Sequence, residues 1–174
     1  MTRPSALTGP LLDAIRQQYR LEWNGIHGIS HWARVRTIGL RLAAQTGADP
    51  DVVELFSVLH DACRVNDNRD PDHGRRGAAL AAGLRGQGVD LSDARFALLV
   101  TACAEHTSGS IEAPVTVQTC WDADRLDLSR VGITPDPARL CTAAAKVPRL
   151  FTWATRLHLV GEALDLARLT GATP

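Results

Sequence analysis

Val52-Val53-Glu54-Leu55-Phe56-Ser57-Val58-Leu59-His60-Asp61 is the stretch whose reading decides the fold of this chain. The apolar run from Val52 to Leu59 reads as a buried helix. It ends abruptly in an imidazole beside a carboxylate. Burying a charge or an unpaired polar group costs several kcal/mol, so such groups are normally paired or bound to a metal. An adjacent His and Asp offer one nitrogen and one oxygen to the same divalent cation. The question is then whether the rest of the chain supplies further ligands.

Working outward, Asp49-Pro50-Asp51 starts this helix, with proline at an N-terminal position where its missing N–H costs nothing. Downstream, residues 64–72 read Arg-Val-Asn-Asp-Asn-Arg-Asp-Pro-Asp, a polar loop suited to the rim of a site. Before the run, a helix is predicted from His27 or His31 to Gln45, with Trp32, Val35, Ile38 and Leu42 inward and Gly47 ending it. A first helix is predicted from Pro10 to Glu22, started by Thr8 or Gly9 and broken by Asn24-Gly25. After the loop, a helix runs from Asp72-His73 to about Leu84, and Gly86-Gln87-Gly88 stops it. The next runs from Ser92, as cap, to His106, and another from Thr116 to Asp127, led in by Pro114. A segment from Asp136 to Lys146 is interrupted at Pro148, and a last helix spans Gly161 to Leu169. β-Strand patterns are scarce, so the expected class is all-α: a compact, irregular helical bundle in one domain, residues 1–174.

Lys+Arg and Asp+Glu both number 19, so the net charge is zero and no whole-protein field draws the chain to a nucleic-acid polymer or an anionic membrane. Arginines do cluster locally, near residues 34–41 and 64–76. No apolar stretch reaches the roughly 18–20 residues that span a bilayer. The N-terminus lacks the apolar core of a signal peptide. Cys63, Cys103, Cys120 and Cys141 form no C-x-x-C pair and read as reduced, largely buried thiols of a cytoplasmic protein.

The chain has six histidines, and His27, His31, His60, His73 and His106 each lie at or near a predicted helix end. There a side chain can be held rigidly and still reach a central cavity. His27 and His31 share a helix face, four residues apart. His31 sits deeper in the apolar pattern and is the better ligand; His27 belongs to the rim. A second source of carboxylates is Asp122-Ala123-Asp124-Arg125-Leu126-Asp127. Asp122 and Asp124 lie about 160° apart on a helix, so only one can face a site squarely. Trp121, Leu126 and Leu128 make this helix at least half buried, which favours a cation as partner for its acids.

His31, His60-Asp61 and Asp124, in that order, resemble the H…HD…D signature of the HD superfamily of helical, metal-dependent phosphohydrolases. Ala123-Asp124-Arg125-Leu126 looks like the family's A-D-x-L element, which selects Asp124 over Asp122. His27-Gly28-x-x-His31-Trp32-x-Arg34-Val35 looks like its first-histidine helix. The resemblance covers about residues 25–130, with the predicted helices of 136–170 packed on that part.

The resemblance implies one or two divalent transition metals: Mn, Fe, Co, Ni or Zn. One ion would take His31, His60, Asp61 and Asp124; a second would share Asp61 and add His73 and His106. The alternative use of His73 and His106 is to contact substrate phosphate. It implies hydrolysis of a phosphomonoester or phosphodiester, a nucleotide among the candidates, by metal-activated water. Arg64, Arg69, Arg75 and Arg76 are candidates to hold phosphate oxygens, with His27 beside them. The Glu that some family members carry after the HD pair is absent, so Asp67 and Glu105 are the candidate bases, and with Asp61 they make up the candidate catalytic residues. Two other functions fit the same ligands: a di-iron HD-type oxygenase, and a non-catalytic module that senses a nucleotide.

Overall fold

The computed structural model describes residues 3–159, and the regular structure there is helical apart from one isolated bridge between Arg85 and Val89. The all-α expectation holds. Helix α1 (Gly9–Gln18) starts where Thr8 Oγ1 accepts the Leu11 N–H at 3.3 Å, and it buries Leu11, Leu12 and Ile15. It ends short of the predicted Glu22. Tyr19 turns into extended backbone at ψ 131°, and its ring packs edge-on against Trp23 and Trp32, with centroids 5.7 and 5.2 Å away. Aromatic packing has overridden helical continuation.

Helix α2 (Ile29–Thr46) ends at Gly47, whose φ of 75° is open to glycine without steric cost. Helix α3 (Pro50–Leu59) is capped by Asp49, whose Oδ1 accepts from the Asp51 and Val52 amides at 3.0 and 3.3 Å. Every residue from Val52 to Leu59 is buried, Glu54 included. The Glu54 carboxylate is satisfied by Arg3, Ser5, Arg36 and the Ala6 amide, as a buried charge must be. His60 and Asp61 stand at the end of this helix, His60 as its C-cap and Asp61 directly after it.

Helices α4 (His73–Gly83), α5 (Asp93–Glu105) and α6 (Val115–Leu126) follow close to their predicted places. Ser92 stands at the N-cap of α5, but its side chain makes no capping bond, contrary to expectation. The segment predicted as a helix from Asp136 to Lys146 folds instead as two 3₁₀ turns, Pro137–Arg139 and Ala144–Lys146. Helix α7 (Pro148–Arg156) then begins at Pro148, which starts a helix in place of the expected interruption. The predicted helix Gly161–Leu169 lies outside the described residues.

α3 sits between α2 and α5, α6 packs on α2, α3 and α5, and α4 lies along α5. Trp32, Phe56, Leu55, Leu59, Leu99 and Leu126 are among the side chains this arrangement buries completely. α4 comes especially close to its neighbours. A Cβ on Gly77 would meet the Leu59 carbonyl oxygen at 2.3 Å, and one on Gly74 would meet the Cys103 carbonyl oxygen at 2.3 Å. The helix that begins at His73 is thereby seated directly on the backbone that carries His60 and His106. No helix among the described residues is long and apolar enough to cross a membrane.

Candidate metal centre

Five helix ends converge on one buried point. His31 comes from the first turn of α2, His60 and Asp61 from the end of α3, and His73 opens α4. His106 caps the C-terminus of α5, and Asp124 lies in the last turn of α6. Two sets of donor atoms form, His31/His60/Asp124 and Asp61/His73/His106, each with its atoms within 4.8 Å of one another. Asp61 links them. Its Oδ2 lies 3.7 Å from His31 Nε2 and 3.9 Å from His60 Nε2, and its Oδ1 lies 3.0 Å from His73 Nε2 and 3.7 Å from His106 Nε2. All six residues expected as ligands are brought together.

The hydrogen bonds decide which nitrogen of each ring is bare. His31 Nδ1 lies 2.8 Å from Asp127 Oδ2, His60 Nδ1 3.0 Å from the Phe56 carbonyl, and His106 Nδ1 2.7 Å from the Cys103 carbonyl. His73 Nδ1 meets the Asp70 carbonyl. Oxygens of this kind only accept, so each Nδ1 donates, and in a neutral ring Nε2 is then an unprotonated donor atom turned inward. The Nε2 atoms face one another in two pairs, His31 to His60 at 3.1 Å and His73 to His106 at 2.8 Å. Two ring nitrogens at such range meet favourably only with a proton or a metal ion between or beside them. Ligands about 2.1 Å from an ion and at right angles to each other are about 3.0 Å apart. The two separations match that edge.

The electrostatics favour the same arrangement. Burial holds His60 down at a pKa of about 3, against which the nearby Asp61 and Asp124 carboxylates do not prevail, so its ring is neutral. Burial alone would raise Asp61 and Asp124, but the surrounding imidazoles outweigh it and keep both carboxyls well below the usual range. His106 is raised: burial opposes its charge, and the hydrogen bond to Asp61 with the field of Asp124 wins. The centre therefore offers ionised carboxylates beside imidazoles, the donor set of a divalent transition metal.

Asp127, which the sequence places in the acidic cluster without a role of its own, stands directly behind His31. Its Oδ2 takes the His31 N–H, and its Oδ1 takes the Arg34 Nε–H at 2.7 Å. Metal-binding histidines commonly hold such a carboxylate behind them. The available signal was position: Asp127 lies three residues after Asp124, on the same face. Asp122 points the other way, and its carboxylate receives the Cys141 and Thr142 amides at 2.6 and 2.8 Å. Asp124, not Asp122, faces the histidines.

The other expected residues divide. His27 lies at the rim, with Nδ1 2.7 Å from Asp61 Oδ2. Arg64 is buried at 7 % exposure beside the second donor set, with Nη1 3.2 Å from His73 Nε2 and 3.6 Å from Asp61 Oδ1. Arg76 is committed elsewhere, holding both oxygens of Asp70 at 2.7 and 2.6 Å and the Cys63 carbonyl at 3.0 Å. Asp70 in turn caps the Val65 amide at 2.9 Å, so this pair fixes the loop between α3 and α4. Arg69 and Arg75 are exposed and make no polar contact with the described residues. Asp67 and Glu105 are exposed, and neither carboxylate makes a hydrogen bond into the cluster. Helical geometry explains Glu105: it lies about 100° around the axis from His106.

A cleft of about 210 Å³ opens on the centre at His106 and Asp124, with Thr107, Arg125, Leu128 and Arg139 in its walls. The Arg125 guanidinium is spent on carbonyls, those of Arg139 at 2.6 Å and Ser110 at 2.7 Å. None of the four tryptophans lines it. Trp32 and Trp121 are core, and the Trp121 indole N–H is satisfied by the Ala102 carbonyl at 3.0 Å. All four cysteines are free thiols, with Cys103 and Cys120 buried. Comparison of the chain with protein-family models, with curated proteins and with solved structures finds no match.

Proposed function

We propose that this chain is a metal-dependent phosphohydrolase of the HD type, acting on a small phosphomonoester or phosphodiester, nucleotides among the candidates. One observation carries the reading. The Nε2 atoms of four imidazoles meet in two pairs, at 3.1 and 2.8 Å, around a shared carboxylate, a donor geometry that suits a bound cation. His31, His60 and Asp124 would hold one ion, His73 and His106 a second, and Asp61 would serve both.

A divalent cation so placed lowers the pKa of bound water from about 15.7 toward 7 and neutralises charge on phosphoryl oxygens. The chain's own groups prepare that chemistry. Asp127 fixes the tautomer and orientation of His31, and the carbonyls of Phe56, Asp70 and Cys103 do the same for His60, His73 and His106. The His27 ring stands at the mouth, where it holds Asp61 Oδ2 and can meet a substrate oxygen. Arg64 brings a guanidinium to the same side as Asp61 Oδ1, suited to a phosphoryl oxygen. The cleft beside His106 and Asp124 gives the ester's organic group a place to lie. Free thiols in all four cysteines agree with a reducing compartment, and we place the protein in the cytoplasm.

The test begins with elemental analysis of purified protein, followed by hydrolysis of a panel of phosphomonoesters and phosphodiesters with Mn, Co, Ni, Zn and Fe in turn, read as release of the alcohol product. The expected result is metal-dependent hydrolysis that His31→Ala and Asp124→Ala abolish. Metal-replete protein that hydrolyses no monoester and no diester would overturn the reading. Oxygen uptake by the iron-loaded protein in its place would assign the site to oxidative chemistry.

A further inference from the structure

The two donor sets are not equivalent, and the difference lies in charge. The set around His31 and His60 has its own carboxylate, Asp124, with Oδ1 at 3.4 and 3.7 Å from the two ring nitrogens, and it also shares Asp61. Asp127 stands behind His31, with its own charge offset by Arg34 on the far oxygen and by Arg130, whose Nη1 lies 3.7 Å from Oδ2, so the inequality rests on Asp124. The set around His73 and His106 has the shared Asp61 and no carboxylate of its own. In place of one it has the buried guanidinium of Arg64. Arg64 Nη1 lies 3.4 Å from His73 Nδ1 and 3.2 Å from its Nε2, nearly equidistant, which places the guanidinium over the face of that ring.

The Arg64 guanidinium is anchored there. Nη2 donates to the Asn68 carbonyl at 2.7 Å and Nε to the Asn66 carbonyl at 3.4 Å, both from the loop that follows Asp61. An ion about 2.1 Å from His73 Nε2 could then be no more than about 5.5 Å from this fixed positive charge. Like charges at such range, away from bulk water, disfavour each other. The guanidinium also draws on Asp61 Oδ1, the oxygen that the ion would need.

The geometry points to a centre with one tight metal site and one weak one, the inequality being set by Arg64. The His31/His60/Asp124 site fills first. The Asp61/His73/His106 site fills at higher metal concentration or with an anionic phosphate ester, whose charge offsets the guanidinium. Arg64 is in this respect a positioning residue for the second ion. The inference rests on the metal-centre reading above but is tested without turnover.

The experiment is a calorimetric Mn²⁺ titration of metal-free protein, with bound Mn²⁺ counted in parallel by electron paramagnetic resonance. The expected isotherm has two classes of site, one ion each, at least tenfold apart in affinity. Asp124→Ala should remove the tight class and His73→Ala the weak one. Arg64→Gln should tighten the weak site and bring the ratio below threefold, while Arg64→Lys, which keeps the charge, should leave the classes well separated. Two equal sites in the wild type overturn the inference, as does an unchanged ratio in folded Arg64→Gln. If circular dichroism shows that Arg64→Gln does not fold, the wild-type ratio and the two ligand variants decide alone. Two equal sites with phosphoesterase activity remove this inference only; two unequal sites in a protein that hydrolyses nothing remove the hydrolase and keep the inequality.

Discussion

His31 shows how much one side chain depends on the group behind it. Its ring is fully buried, and only the bond from Nδ1 to Asp127 leaves Nε2 bare and aimed at the centre. Asp127→Ala should therefore weaken metal binding about 10- to 100-fold, with Asp127→Asn milder because the amide oxygen still accepts. Competition with a fluorescent chelator would measure it, and an unchanged affinity would show that His31 needs no such partner. His60 makes a prediction of the opposite kind, in the protein freed of metal. Its folded pKa is about 3 where the ordinary value is 6.5, so between those values the unfolded chain binds a proton that the folded one refuses. Stability must then fall as pH drops below about 6.5, by up to about 1.4 kcal/mol per pH unit from this group. His106 is shifted upward and acts in the opposite sense, so the clean measure is a difference. Urea midpoints from pH 7 to 5 should slope less in His60→Asn than in the parent, and equal slopes would refute the assignment. The ligands themselves were legible because a histidine or paired acid inside an apolar run has few other uses. Arg64 was legible only as a charge, since its burial depends on where the Asn66 and Asn68 carbonyls turn in the folded loop.

The helices matter to the site mainly through where they end. Thr8, Asp49, Gly47 and the prolines near helix starts marked several boundaries in advance, because caps and breakers act locally. Tertiary packing overrode local signals elsewhere. Tyr19 left α1 early to meet two tryptophans, and residues 137–147 wrapped as 3₁₀ turns around the Asp122 carboxylate, which binds the amides of Cys141 and Thr142. No local pattern announces that Asp122 is a bracket for a distant segment. α4 carries the sharpest test of element placement. A methyl group on Gly77 would press on the backbone of Leu59 and His60, and one on Gly74 on Cys103 and the His106 ring. Gly77→Ala should destabilise the fold by about 1–3 kcal/mol, the usual cost of overpacking. Gly74→Ala should also displace His106, so that it loses affinity for the second ion more than for the first. Thermal melts with and without Mn²⁺ would separate the two effects; a Gly74→Ala protein with parental affinities would show that α4 can shift without moving the donors.

Taken together, the bundle spends some of its most buried space on metal-ligating groups. His31, His60, Asp61, His73 and His106 are all buried, with their donor atoms turned inward. An ion held by these donors would bind the folded chain and not the unfolded one, so metal and fold must be thermodynamically linked. An ion that binds only the native chain adds RT ln(1 + [L]/Kd), about 2.7 kcal/mol when the free metal stands at 100 times Kd. For a domain of 150–250 residues each kcal/mol moves the midpoint by about 2–4 °C, so saturating metal should raise Tm by about 5–11 °C over chelated protein. The gain should be reversible on re-adding Mn²⁺ and should shrink in His31→Ala and Asp124→Ala, which keep only the weaker donor set. Identical melting of chelated and metal-saturated parent protein would mean that the converging imidazoles are satisfied by protons alone.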